Sequence, residues 1–208
     1  YKGFNMKIAA IITARHNSKR LPKKHMLKLG ELRMIEILIK RLQQNNNQFS
    51  IILCTTKDKS DDAFEEISTQ LKINCYRGYL HNVKGRVLKA AKKFNVDHII
   101  KIWGDSPFVD VNIINKALIK YLKFTPDVLS TNPRDEKKIK ESENRQFLPQ
   151  GMDFDIYSTK ILEKSLKYSQ KISDFEHVDI VFFKKKNIFN IYNYIPEKNL
   201  YFPKAKLL

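Results

Sequence analysis

An α/β fold with a mostly parallel sheet is predicted by three observations. Strand-like runs and helical stripes alternate three times in the first half of the chain, each of those strands is apolar throughout, and no internal repeat divides the sequence. Residues 7–14, KIAAIITA, read as a first strand buried on both faces. After a basic loop over 15–30, Leu32, Ile35, Leu38, Ile39 and Leu42 recur at helical spacing, and a polar tract from Gln43 ends that helix. Residues 50–56, SIILCTT, give a second strand; Ser60 and Asp61 stand where they can cap a helix to about Leu71. A short strand at 73–76 follows, then a stripe of Val83, Val87, Leu88, Ala91 and Phe94, a strand at 98–103 (HIIKIW) and a helix over 111–124.

The second half is less regular. Residues 127–131 read as a strand, and 132–149, polar and carrying prolines near both ends, as an excursion or lid between short strands. Residues 152–157 alternate, with Met152, Phe154 and Ile156 on one face and Asp153 and Asp155 on the other. Ser158 caps a helix to about Tyr168, the Ser173/Glu176 spacing suits a capping box for a helix through Phe183, and 187–195 read as a last strand. A single domain over 1–208 is expected, with its core at 6–195 and a C-terminal arm at 196–208 that can pack on a partner subunit.

The 208 residues are 42% hydrophobic, enough for a sizeable core, and no apolar run approaches the roughly 18 residues that span a bilayer. Cys54 and Cys75 lie in apolar runs, unlike a disulfide framework, so a reducing cytoplasm is expected. The net charge of +17 raises a nucleic-acid or other polyanion partner, but the basic residues are 31 Lys and 8 Arg scattered along the chain. Base reading favours arginine forks, so a Lys-rich solvated surface is the simpler account and nucleic acid is not the expected partner.

In α/β sheets ligands bind beyond the carboxyl ends of the strands. After the first strand come Ala14, Arg15, Ser18, Arg20 and Lys24 in a loop that invites a triphosphate, although neither GxxxxGK[ST] nor GxGxxG is present. Asp105 follows the 98–103 strand at Gly104, and Asp153 and Asp155 share one side of a strand. One Asp from each of two neighbouring strand ends can hold Mg²⁺ together with phosphate oxygens.

The pattern Arg15-x-x-Ser18-x-Arg20-Leu21-Pro22-x-Lys24 resembles the ARxxSxRLPxK signature of the cytidylyltransferases that activate sugar acids, the acylneuraminate and Kdo enzymes among them. The nearest likeness is to the spore coat polysaccharide biosynthesis protein F branch. It continues through Thr55-Thr56 with Asp61-Asp62, Tyr76-Arg77-Gly78, the segment from Trp103 through Gly104-Asp105 to Asp110, Gln150-Gly151-Met152-Asp153-Phe154-Asp155, and Glu176-His177-Val178. The resemblance implies a Rossmann-like three-layer sandwich of the nucleotide-diphospho-sugar transferase type, usually a homodimer, that uses CTP and Mg²⁺ to make a CMP-sugar and pyrophosphate for surface glycan. It also implies roles. Lys24, Arg15 and Asp105 are expected to be catalytic; Ala14, Arg15, Ser18, Arg20, Lys24, Thr55, Thr56 and Gly104 to bind nucleotide; Asp105, Asp153 and Asp155 to hold the metal. Arg77, Arg86, Gln150 and His177 are candidates for binding the sugar acid.

The chain departs from that pattern. Asn17 and Lys23 replace glycines of the first loop, and His81-Asn82-Val83-Lys84-Gly85-Arg86 keeps Val83 and Arg86 of a DDVLDR segment while losing its acids. Those losses fall where base or sugar would be met, so another base or acceptor, such as a sugar 1-phosphate or a phosphonate, stays open beside the sugar acid.

Overall fold

The fully apolar runs become the middle of one sheet. The computed structural model describes residues 6–17, 21–46, 48–132, 148–149 and 151–196. In chain order these form β1 (Ile8–Thr13), β2 (Lys28–Leu29), β3 (Leu32–Arg33), α1 (Met34–Leu42), β4 (Ser50–Thr56), α2 (Asp62–Gln70), β5 (Asn74–Gly78), α3 (Val83–Lys93) and β6 (His98–Trp103). Then come α4 (Val111–Phe124), β7 (Val128–Ser130), β8 (Phe154–Ser158), α5 (Thr159–Leu166), α6 (Ile172–Glu176), α7 (Ile180–Lys184) and β9 (Ile191–Asn193). Among the described residues the main sheet has seven strands in the order β5-β4-β1-β6-β8-β7-β9. β8 alone runs antiparallel to its neighbours β6 and β7. Central β1, paired with β4 on one side and β6 on the other, has both faces covered, which is why its run carries no alternation.

The period of two sorts the strand residues between two apolar layers. Ala10, Ile12, Ile51, Leu53, Ile100 and Ile102 pack with Ile35, Leu38 and Ile39 of α1, Phe64 and Ile67 of α2, and Ile113, Ile114 and Ala117 of α4. Ala9, Ile11, Ile52, Cys54 and Ile99 face Val87 and Ala91 of α3, Leu162 of α5 and Val181 and Phe182 of α7. At about 1.5–3 kcal/mol for each fully buried aliphatic side chain, these two layers are the main favourable term. Caps place the helices: Asp110 accepts from the Asn112 and Ile113 N–H groups at 2.8 and 3.1 Å, Asn82 from Gly85 at 2.7 Å, and Ser158 from Ile161 at 3.1 Å.

Four expectations change. The first helix begins at Met34, because Leu29-Gly30-Glu31-Leu32 turns a small hairpin of β2 and β3 about Gly30 at φ +66°. Asp61 does not cap α2; Asp58 caps the preceding 3₁₀ turn, and Asp61 is buried for another purpose. The capping box at Ser173 is absent: Asp174 accepts from the Gln170 and Lys171 N–H groups at 3.0 Å each, and the helix breaks between α6 and α7. The last strand is three residues long, not nine. Most of the supposed lid, 133–147, and all but Pro196 of the C-terminal arm lie outside the described residues.

α4 ends on Thr125 at φ +45°, ψ +44°, a left-handed position where a β-branched residue is strained. Thr125→Gly is expected to stabilise the fold by about 1 kcal/mol, read as a rise of roughly 2–4 °C in thermal midpoint.

Candidate active site

The site is assembled where β1, β4 and β6 end side by side. Asp61, buried, accepts from the His16 N–H at 2.7 Å, from the Thr55 hydroxyl at 2.9 Å and the Thr56 N–H at 3.1 Å, and from the Thr56 hydroxyl. The loop after β1 is thereby tied to the end of β4. A second clamp lies outside it: Arg77 donates to the Thr56 and Asp58 carbonyls at 2.9 and 2.8 Å and pairs with Glu65 and Asp62 at 2.9 and 2.6 Å. The hydroxyls of Thr55 and Thr56 and the guanidinium of Arg77 therefore shape the scaffold and do not face the cavity.

Gly104 sets the approach of β6 to β1. Its N–H donates to the Thr13 carbonyl at 2.9 Å, and a Cβ there would stand 2.9 Å from that same oxygen, from Ala14 Cβ and from His25 Cδ2. Only glycine fits without moving backbone. The next residue, Asp105, forms an ion pair with Lys24, which the loop delivers on a single 3₁₀ turn, Lys24–Met26. That turn is entered through Lys23 at φ +58°, so the glycine expected there answers a real conformational demand. Asn17, by contrast, is not among the residues with positive φ, and its substitution for glycine carries no backbone penalty.

Around this pair opens a cavity of about 780 Å³. Ala14, Arg15, Lys24, Asp105, Asp153, Arg86 and His177 of the expected site residues line it. Thr55, Thr56, Arg77 and Gly104 are not among the residues that line it, and Asp155 is fully buried on β8 opposite Lys101. Ser18, Arg20 and Gln150 lie outside the described residues. The break between α6 and α7 turns His177 and Asp179 onto the wall, and Glu176 there reaches Arg15 at 3.6 Å across the mouth.

His25 and Lys101 also line the cavity, and the sequence does not single them out, since a histidine beside a loop lysine and a single lysine inside a strand carry no distinctive spacing. His25 Nδ1 donates to the Arg15 carbonyl at 3.1 Å and its ring meets Phe64 edge-on. Burial, with Lys24 next to it, pushes its pKa down to about 4, so the ring is neutral at pH 7. Burial acts to raise the Asp105 carboxyl, but the hydrogen bond and charge of Lys24 outweigh it and hold Asp105 below the ordinary carboxylate range. An ionised carboxylate thus faces a cationic loop across one cavity.

Among the described residues no three His, Cys, Asp or Glu side chains gather into a metal-sized group. Four carboxylates nonetheless share the wall, Asp105, Asp153, Glu176 and Asp179, and the first two stand at the neighbouring ends of β6 and β8. That pair fits Mg²⁺, which takes one or two carboxylates and completes its shell with phosphate oxygens and water.

The family profile described as cytidylyltransferase matches residues 9–205. An uncharacterized protein of Methanocaldococcus jannaschii is 32% identical over 94% of this chain and 74% of its own length. The spore coat polysaccharide biosynthesis protein SpsF of Bacillus subtilis is 30% identical over 52% of this chain and 47% of its own. A 3-deoxy-manno-octulosonate cytidylyltransferase of Fusobacterium nucleatum is 27% identical over 86% and 74%. Among solved structures, a cytidylyltransferase from Leptospira borgpetersenii superposes with a TM-score of 0.86 at 26% identity, covering 98% of this chain and 81% of that one.

The neutral burial of His25 fixes a pH dependence. The unfolded chain binds a proton there below about pH 6.5 and the folded chain only near pH 4, so stability present above pH 6.5 is lost as pH falls toward 4. Urea unfolding at pH 7.5 and 4.5 should show His25→Gln spared about 2–3 kcal/mol of the loss suffered by the parent chain.

Proposed function

From the chain's membership of the cytidylyltransferase family, matched over residues 9–205, we infer that it transfers CMP from CTP to a sugar acid and releases pyrophosphate. CTP-dependent nucleotidyl transfer is the family's chemistry; the sugar acid, the use of Mg²⁺, a homodimer and a place in the cytoplasm belong to this reading. The observation that carries it is the Lys24–Asp105 ion pair at the mouth of a cavity that also presents Arg15 and Asp153.

Arg15 and Lys24 are the groups to receive the triphosphate, the first by a fork of N–H donors and the second as a mobile point charge. The acceptor's anomeric hydroxyl oxygen bonds to the α-phosphorus, the bond to the bridging oxygen breaks, and pyrophosphate leaves with that electron pair. The hydroxyl proton departs to water. Negative charge grows on the leaving group in that step, and Lys24 stands ready for it once a triphosphate draws it from Asp105. Asp105 and Asp153 would hold Mg²⁺, whose charge, when bound, neutralises the phosphates. The acceptor class is supported by the relative described as a 3-deoxy-manno-octulosonate cytidylyltransferase and by the cationic Arg86 on the inner wall.

Pyrophosphate release measured with each nucleoside triphosphate, Mg²⁺ and a panel of sugar acids, sugar 1-phosphates and phosphonates tests the reading. CTP with a sugar acid should give turnover; turnover only with another pair would replace that assignment, and none with any pair would sink it. Lys24→Met and Asp105→Asn should each lower kcat/KM by about 10²-fold or more with the fold intact by circular dichroism.

A further inference from the structure

β6 carries one residue that its packing does not explain. Ile99 faces the layer of α3, α5 and α7, and position 101, two further on, falls on that face again. An aliphatic side chain belongs there, yet the residue is Lys101, fully buried. Its Nζ donates to Thr13 Oγ1 at 2.9 Å and to the Ile102 carbonyl at 3.0 Å, and stands 4.5 Å from the centre of the Trp103 ring. Among the described residues no carboxylate comes within ion-pair distance of it, and Asp179 and Asp155 act on it only at longer range. Burying an ammonium without an ion-pair partner disfavours folding, and methionine would fill much the same space. Stability is therefore a poor reason for a lysine.

What Lys101 does is hold the hydroxyl of Thr13. Thr13 is the last residue of β1, half-buried, on the cavity wall. A hydroxyl oxygen that accepts from an ammonium keeps its own proton to donate, and the positive charge behind it turns it toward anions. The wall beside it is built alike. Arg86, 3% exposed, donates to the Tyr79 carbonyl at 2.9 Å, while its buried Nε meets no acceptor. Val83, Val178 and Ile180, on the same side of the sheet, supply apolar surface. The cavity thus has an outer half, with Arg15, Lys24 and Asp105, and an inner half whose cations are buried. The outer half suits a mobile triphosphate; the inner half suits a compact organic anion with carbon surface.

Resting on the nucleotidyl-transfer reading, we propose that Thr13, held and polarised by buried Lys101, receives the carboxylate of the acceptor, and that Lys101 is the positioning residue that makes the site selective for acids. The pair Lys101→Met and Thr13→Val removes the charge or the hydroxyl with little change of volume. Each should raise the KM for the sugar acid about ten- to hundredfold while the KM for CTP moves less than about twofold. Preference for the acid over its carboxamide should collapse, Thr13→Ser should keep it, and the thermal midpoint of Lys101→Met should not fall. A rise in the KM for CTP instead would assign the charge to the triphosphate, and no change in either KM would leave Lys101 structural; both overturn the proposal. Trp103, the single tryptophan, keeps the test independent of turnover. Its fluorescence is followed without CTP as 3-deoxy-manno-octulosonate or N-acetylneuraminate is added. A change in the parent protein that Lys101→Met and Thr13→Val lose supports the proposal even if no acceptor turns over, in which case the transfer reading alone fails. No change with either acid in the parent protein overturns it.

Discussion

Asp61 sits under the loop that follows β1, and its two oxygens gather the His16 N–H, the Thr56 N–H and the hydroxyls of Thr55 and Thr56. A carboxylate buried in this way is tolerable because four donors replace its water. Through it the ends of two parallel strands and the start of a charged loop become one rigid corner. The loop would otherwise be a chain of mutually repelling cations. With its first residues anchored, it returns through the His16 carbonyl, which receives the Lys23 N–H at 2.9 Å, and delivers Lys24 to Asp105. Gly104 completes the corner from the other side by letting β6 come close enough for that meeting.

This arrangement divides the positive charge into parts with different physical meanings. Most of the described lysines are exposed, where each ammonium keeps its hydration. Arg15 and Lys24 are only partly exposed, and each already holds a carboxylate, Glu176 and Asp105. Their charge is thus met within the protein, which keeps the mouth of the cavity electrostatically modest. Lys101 and Arg86 are different again, withdrawn into the wall on the side of α3.

The fold was legible in the sequence wherever burial alone decides structure. Runs such as IAAIIT and SIILCTT have the length and β-branched content of two-sided strands, and the stripes of α3 and α4 announce themselves by spacing. Where short polar residues compete for several roles, spacing misleads. Ser173 and Glu176 have the separation of a capping box, but Asp174 caps the turn; Asp61 looks like a helix cap and instead serves the corner. The site divides in the same way. That Lys24, Asp105 and Arg15 meet at one cavity is readable because charged residues just past neighbouring strand ends are brought together by the sheet. Thr55, Thr56 and Arg77 belong to the same sequence motifs, yet their side chains bond Asp61, Asp62 and Glu65, a direction that no linear spacing reveals. His25 and Lys101 were invisible for the opposite reason, since their significance lies wholly in what encloses them.

Among the described residues, β8 is the one strand of the main sheet that runs against its neighbours. Its beginning therefore lies beside the ends of β6 and β7, and Asp153, one residue ahead of it, arrives at the cavity from the opposite chain direction to Asp105. β7 leaves the sheet and β8 enters it on that same side, so whatever length of chain joins them starts and finishes at the rim. Insertions or deletions in that connection leave the strand register untouched, because both of its ends lie past the paired residues. Diversification of what the cavity admits is thereby uncoupled, by topology, from the risk of unfolding the framework that does the chemistry.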